Sequence, residues 1–201
     1  MATKLPRSFY VRDNVVQISR ELLGKYLVTH IDGMRTSGMI VETEAYDGAR
    51  DKACHAHLNR RTNRTEVMFH EGGVAYVYLC YGIHHLFNIV TNEEDRADAI
   101  LVRAVEPDEG TAEMMLRREM DSLKPNLTAG PGSMSKALGI RTGHYGQSLL
   151  DDTIWIEDRG VVILDDQIIA SPRVGIDYAE EDALLPWRFR IKGNKWTSKA
   201  K

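Results

Sequence analysis

Cysteine is scarce in this 201-residue chain: Cys54 and Cys80 stand alone, with no Cys-x-x-Cys pair. That excludes a disulfide framework and the common zinc modules. Long hydrophobic runs are missing too. No apolar stretch approaches the ~20 residues that span a bilayer. The opening Met1-Ala-Thr-Lys-Leu-Pro-Arg7 lacks the apolar core of a signal peptide. These absences read as a cytoplasmic chain with reduced thiols and no membrane partner. Internal repeats and low-complexity stretches are absent, and 43% hydrophobic with 27% charged residues excludes disordered, collagen-like and coiled-coil chains. A strong excess of one charge is also lacking, with 26 basic against 29 acidic residues and a net charge of −3. Such a balance argues against a generally basic, polyanion-binding surface. The charge is unevenly spread, however. Residues 187–201 hold six basic residues and no acidic one, leaving −9 for residues 1–186. With its two tryptophans this tail can face an anion or fray in solvent.

What is present fits one domain, residues 1–201, with the ends at about 1–8 and 197–201 expected to fray. Asp13 to Gly24 predicts a helix, capped by Asp13, carrying Val15, Ile18 and Leu22 on one face and stopped by Gly24. A strand at Tyr26–His30, a turn at Asp32-Gly33 and a strand from Thr36 to Ala45 or Tyr46 follow. The polar segment from Tyr46 to about Gly73 shows no period, and irregular stretches of that length inside a domain are usually functional. Val74–Cys80 and Leu86–Thr91 predict a hairpin with a five-residue tip, Tyr81 to His85. A strand at Ala99–Val105 precedes helices at about Asp108–Met120 and Pro131–Gly139. Short strands are expected at Thr153–Glu157, Val161–Leu164, Arg173–Ile176 and Arg188–Ile191. Runs of strands with helices outside them predict an α+β domain, mostly antiparallel, with flanking helices and a protruding β-hairpin.

Four constellations can carry chemistry. In Val41-Glu-Thr-Glu-Ala-Tyr46, strand alternation puts Ile40, Glu42, Glu44 and Tyr46 on one face, with steps of about 7 Å, and Met39, Val41, Thr43 and Ala45 on the core face. Two carboxylates beside a phenol suit general-base work; an exposed edge dressed with charges would read the same way. Spacing does not choose between Glu42 and Glu44. Tyr76, Tyr78 and Tyr81 can sandwich a planar or cationic ring, or pack as core aromatics. A bulky ring at a hairpin tip also suits a wedge that unstacks bases. Cys54, His55 and His57, with His70 and His84-His85 downstream, hold metal-binding side chains but match no common zinc spacing. Asn59-Arg60-Arg61-Thr-Asn-Arg64 interleaves arginines with short hydrogen-bonding side chains, a composition suited to phosphate oxygens or to a solvated loop.

In order along the chain, Val41-Glu-Thr-Glu-Ala-Tyr46, Ala53-Cys-His55, Arg60-Arg-Thr and Tyr76-Val-Tyr-Leu-Cys-Tyr-Gly82 with Asn88 resemble the alkyladenine (3-methyladenine) DNA glycosylases of the non-helix-hairpin-helix type. Leu101-Val-Arg-Ala-Val-Glu-Pro107, Gly130-Pro-Gly132, Lys136-Ala-Leu-Gly139 and Pro186-Trp-Arg-Phe189 complete the series, which spans roughly residues 20 to 196. The resemblance implies a monofunctional enzyme that flips alkylated or deaminated purines from double-stranded DNA. It would hydrolyse the N-glycosidic bond with water and leave an abasic site, as a monomer without metal or cofactor. It makes Glu44 the general base. Tyr46, His55, Tyr78 and Asn88 fall on the base pocket, Tyr81 on the inserted side chain, and Arg103 near the site. A basic face of Arg60, Arg61, Arg64, Lys136 and the C-terminal residues is expected to meet the DNA backbone. Two positions depart from the family pattern: Ser133 where a lysine is common, and Cys54 where a small residue is usual. Competing readings are a catalytically silent nucleic-acid-binding module on the same scaffold and a metal-dependent hydrolase using Cys54, His55 and His57.

Overall fold

The structure, a computed structural model, describes residues 2–199. Along the chain run β1 (Thr3–Lys4), α1 (Arg7–Tyr10), α2 (Val15–Glu21), β2 (Tyr26–Ile31), β3 (Met34–Tyr46), β4 (Ala75–Cys80), β5 (His84–Thr91) and β6 (Asp98–Pro107). After them come α3 (Thr111–Arg118), α4 (Pro131–Leu138), β7 (Ile154–Asp158), β8 (Ile168–Ser171) and β9 (Arg188–Ile191). The strands pair antiparallel in the order β1-β7-β2-β3-β6-β5-β4, and β9 joins β3 to β8. This is the expected α+β architecture. No helix among the described residues is long and apolar enough to cross a membrane.

Local chemistry accounts for most elements, with some corrections. Asn14, not Asp13, caps α2, its side-chain oxygen accepting the Gln17 N–H at 2.9 Å; either residue type satisfies a first-turn donor equally well. Asp32 and Gly33 both take positive φ, 56° and 75°, the conformation a two-residue hairpin turn demands. The β4–β5 tip is Tyr81-Gly82-Ile83, three residues instead of five, because His84 pairs with Cys80 and lengthens the ladder. Residues 161–164 and 173–176 are not strands; β8 at Ile168–Ser171 takes the place beside β9. Both expected strands are β-rich runs that no neighbour pairs. The ends expected to fray are tied down where they are described: Thr3 and Lys4 pair with β7, and Ser198 is buried. Met1, Ala200 and Lys201 lie outside the described residues.

The long β3 exchanges partners midway. Its first half pairs with β2, its residues Glu42–Glu44 with β9, and β6 lies along its other edge. Ile40 is opposite Val105, Glu42 opposite Ala104 and Thr43 opposite Val102. Val41 and then Arg103 are therefore extra residues, two compensating bulges that turn side chains locally. The alternation predicted for residues 39–46 fails there: Ile40 joins Val41 and Ala45 in the main core, and only Glu42, Glu44 and Tyr46 are left for the other side. The same core holds Tyr10, Ile18, Leu22, Leu27, Phe87 and Phe189. Each such buried side chain contributes roughly 1.5–3 kcal/mol.

The segment between β3 and β4 is irregular but packed. Cys54, Ala56, Val67, Met68 and Phe69 close over Tyr76, Val90, Ala97 and Ala99 as a second core. This layer forms one wall of the cavity described next.

Candidate active site

A cavity of about 620 Å³ lies where β4, β5, β6 and the irregular segments meet. Its chemistry begins at β3. Glu42 and Glu44 have no exposed surface, so an exposed charged edge is excluded. Strands pair on both sides of them, and their charge is met by arginines instead of water. Glu44 stands opposite Leu101 of β6 and Arg188 of β9. Its Oε2 accepts the Tyr46 hydroxyl at 2.8 Å, its Oε1 the Val174 N–H at 2.9 Å, and Arg103 Nη1 stands 3.2 Å from Oε1. Burial followed by the Glu44 charge pushes the Tyr46 phenol far above its ordinary range, so it remains a donor. Burial also raises the Glu42 carboxyl, but Arg103, the Ser198 N–H and Arg188 outweigh it and hold Glu42 ionised.

Aromatic rings form the wall. Tyr76 and Tyr78 share a face of β4 with centroids 5.3 Å apart, and His55 meets Tyr78 edge-on at 4.8 Å. The His55 ring is fixed at both nitrogens: Nδ1 lies 2.8 Å from the Tyr76 hydroxyl and Nε2 3.3 Å from Arg64 Nη2. A guanidinium can only donate, so Nε2 accepts and the proton sits on Nδ1. Burial, then the Arg64 charge, drives this imidazole down to about 4, leaving it neutral at physiological pH. Arg64 itself lies over the Tyr78 ring, 4.7 Å from its centroid. Asn88 lines the cavity and is immobilised by its amide nitrogen, which donates to the carbonyls of Tyr76 (3.1 Å) and Leu86 (3.3 Å). Tyr81 borders the cavity from the hairpin tip, 90% exposed with φ 51°. The Gly130–Ser133 segment lines the cavity beside it, and Gly132 packs so closely that a Cβ there would stand 2.8 Å from the His84 ring.

The structure thus brings Tyr46, His55, Arg64, Tyr78, Tyr81, Asn88 and Arg103 together around one cavity, with Glu44 buried directly behind Tyr46, Arg103 and Val174 of its lining. It separates the remaining expected basic residues. Arg61 pairs with Asp95 and Glu66 while stacking on Phe69, and Lys136 pairs with Glu119 at 2.9 Å. Arg60 is exposed on the same loop. Arg103 is buried between carboxylates, away from any backbone-facing position, and Arg188 of the basic tail points inward to Glu42. Cys54 is a packed thiol, raised to about 12 by burial, and among the described residues no three His, Cys, Asp or Glu side chains come together as a metal site.

Other site groups are absent from the sequence reading. Arg173 and Asp51 form a fully buried ion pair; the guanidinium lies 4.7 Å from the Tyr46 ring centre and also donates to the Ala45 carbonyl at 2.8 Å. This pair holds the following Val174-Gly-Ile176 stretch against Glu44, and Tyr178 closes the same wall, donating to the Ala53 carbonyl at 3.1 Å. A carboxylate and an arginine 122 residues apart give no local signal.

A buried carboxylate held by an arginine, a phenol and a backbone N–H beside an aromatic cavity fits a hydrolase acting on nucleosidic bonds. Comparison with known proteins agrees. Residues 8–195 match the model of the methylpurine-DNA glycosylase family. Relatives provisionally named 3-methyladenine DNA glycosylases include one from Chlamydia abortus, 48% identical over 93% of this chain and 97% of its own. Another from Clostridium perfringens is 44% identical over 98% and 99%, and one from Bacillus cereus 46% identical over 96% and 98%. The chain therefore belongs to the methylpurine-DNA glycosylase family and is a DNA glycosylase, a hydrolase of the N-glycosidic bond.

Proposed function

We propose that this protein excises alkylated or deaminated purines, of the 3-methyladenine, 7-methylguanine and hypoxanthine class, by flipping the nucleotide from duplex DNA into the cavity. The observation that carries this reading is the buried Glu44 carboxylate, held by Tyr46, Arg103 and Val174 against a cavity walled by Tyr46, His55, Tyr76 and Tyr78. The base reaches such a pocket only when extruded, at a cost of a few kcal/mol. Tyr81, exposed at the hairpin tip, fills the vacated stack and offsets part of that cost. Glu44 deprotonates water for attack on the anomeric carbon, and its charge stabilises the oxocarbenium-like transition state. Neutral His55 adds no positive charge to oppose a methylated, cationic purine, and the tyrosine faces attract one. Immobile Asn88 crowds the purine edge that carries the 2-amino group of guanine. Among the described residues no lysine lines the cavity, which supports water and not an amine as nucleophile, leaving an abasic site uncut. The protein acts as a monomer in the cytoplasm on double-stranded DNA.

Single-turnover release of base from a duplex holding one hypoxanthine, by wild type and by Glu44→Gln, tests this reading. Wild type releases base with strand breakage only after alkali, and Glu44→Gln is slower by at least the 10²–10⁴-fold typical of general-base loss. Equal rates in both proteins would remove Glu44 from the mechanism. Binding without release by wild type, on hypoxanthine and on methylated DNA, would make the protein a silent DNA-binding module.

A further inference from the structure

The strand that carries Glu44 carries a second carboxylate, and the reading above leaves Glu42 unused. Its surroundings are elaborate for a merely solvent-free acid. Glu42 Oε1 accepts from Arg103 Nε, Arg188 Nε and Ser198 Oγ, each at 2.8 Å, and Oε2 accepts the Ser198 N–H. Arg103 is therefore shared three ways: Nε to Glu42, Nη1 to Glu44 and Nη2 to Ser198 Oγ at 3.4 Å. The bulge at Arg103 aims it between the two acids, which stand opposite Ala104 and Leu101 of the same strand. Ser198 arrives from the far end of the chain, anchored by buried Trp196 and by Asn194, whose amide donates to Glu106 at 2.7 Å.

We propose that Glu42, with Ser198, is a positioning residue for the reaction: it holds Arg103 by its Nε edge, so that a single guanidinium nitrogen reaches Glu44 and the Glu44 carboxylate keeps its reactivity as a base. This rests on the reading of Glu44 as the base that activates water. A guanidinium freed from Glu42 presents its two-pronged face to the nearest carboxylate, the stronger geometry for such pairs. In that geometry Arg103 would occupy the lone pairs that Glu44 needs for water. Charge balance points the same way. Glu42 and Glu44 offset Arg103 and Arg188; without Glu42, two buried cations face one anion, and Glu44 becomes a weaker base. The charged and titratable groups that face Glu44 are Tyr46 of β3, Arg103 of β6, Arg188 of β9, Tyr78 of β4 and Arg173 of the segment after β8, while Arg190 of β9 stands opposite Glu42 two residues away. Helix α2, on the opposite side of β3, offers Thr43 only the uncharged Ser19, at 3.0 Å.

The test is the pH profile of single-turnover base release, for wild type, Glu42→Gln, Ser198→Ala and Glu44→Gln. Glu42→Gln is expected to lower the plateau rate about tenfold or more and to move the acid limb to lower pH. Ser198→Ala keeps all four charges and folds even where Glu42→Gln does not; it moves both quantities the same way, by less. An unchanged profile in both variants overturns the proposal. A lower rate with the acid limb unmoved overturns it as well, because loosened packing alone produces that. Failure of the underlying reading has a different signature, no release by wild type or full activity in Glu44→Gln, and it removes this role for Glu42 too.

Discussion

At the scale of single residues, the site is built from charges and protons fixed by burial. His55 is the clearest case, since protonating Nε2 would put a charge on a largely buried ring and set it against the Arg64 cation. Its ordinary value of 6.5 falls to about 4 in the folded state. The unfolded chain therefore binds a proton through pH 6.5 that the folded chain refuses until near pH 4. The unfolded state holds more protons across that window, so stability falls as pH drops from about 6.5 towards 4 and is unaffected by this group above it. Urea midpoints measured from pH 7 to pH 4 should show it. Wild type is expected to lose up to about 1.4 kcal/mol per pH unit more than His55→Gln within the window. Parallel curves for the two proteins would mean that His55 takes up its proton over the same pH range folded and unfolded, and the argument that the pocket holds it neutral would fall.

At the scale of elements, the wall over Glu44 is a segment without regular structure, and its order comes from one ion pair. Asp51 lies on the loop after β3, Arg173 just beyond β8, and both are fully buried against each other. Arg173 further donates to the carbonyls of Ala45 and Asp182 and stacks on Tyr46 and Trp187. Removing one partner leaves an uncompensated buried charge, which costs about 3–5 kcal/mol. Asp51→Asn is accordingly expected to lower the unfolding free energy measured in urea by that much and to slow base release through loss of the Val174 contact to Glu44. The pair Asp51→Leu with Arg173→Met, which removes both charges, should recover most of the stability and little of the rate. If the single variant were as stable as wild type, the segment would owe its order to something other than this pair. Sequence reading located β9 but neither β8 nor the segment between them. Residues 173–176 have strand-like composition, and only the absence of a free neighbouring edge keeps them irregular. The same limit applies at Val41 and Arg103. A bulge shifts the face a side chain occupies without leaving a mark in local alternation, so Ile40 was expected beside Glu42 and lies in the core instead. Elements with strong local chemistry, such as α4 between Pro131 and Gly139 or the Asp32-Gly33 turn, were legible almost to the residue.

At the scale of the whole molecule, a net charge of −3 must coexist with a polyanionic substrate. Several cations are committed inside the protein. Arg103 and Arg188 neutralise Glu42 and Glu44, Arg173 neutralises Asp51, and on the surface Arg61 and Lys136 are already paired with carboxylates. Composition counts all of them as basic residues alike, whereas whether an arginine meets a phosphate or a buried glutamate depends on contacts far apart in the chain. Arg64 lines the cavity, and Arg60 is exposed on the same loop. The surface ion pairs are worth little, about 0–1 kcal/mol each, so Arg61 and Lys136 can exchange their carboxylates for phosphates on binding. Each phosphate contact steepens the decline of log affinity with log salt by about 0.9. With Arg60, Arg61, Arg64 and Lys136 as the contacts, a slope of roughly −3 to −4 is expected for undamaged duplex. Arg60→Ala should reduce it by about one contact, and Glu119→Ala should strengthen binding by freeing Lys136. A slope near zero would mean that the protein grips DNA chiefly through the inserted Tyr81 and the flipped base. Affinity for undamaged duplex would then be weak at every salt concentration, and the arginine loop would be a solvated surface.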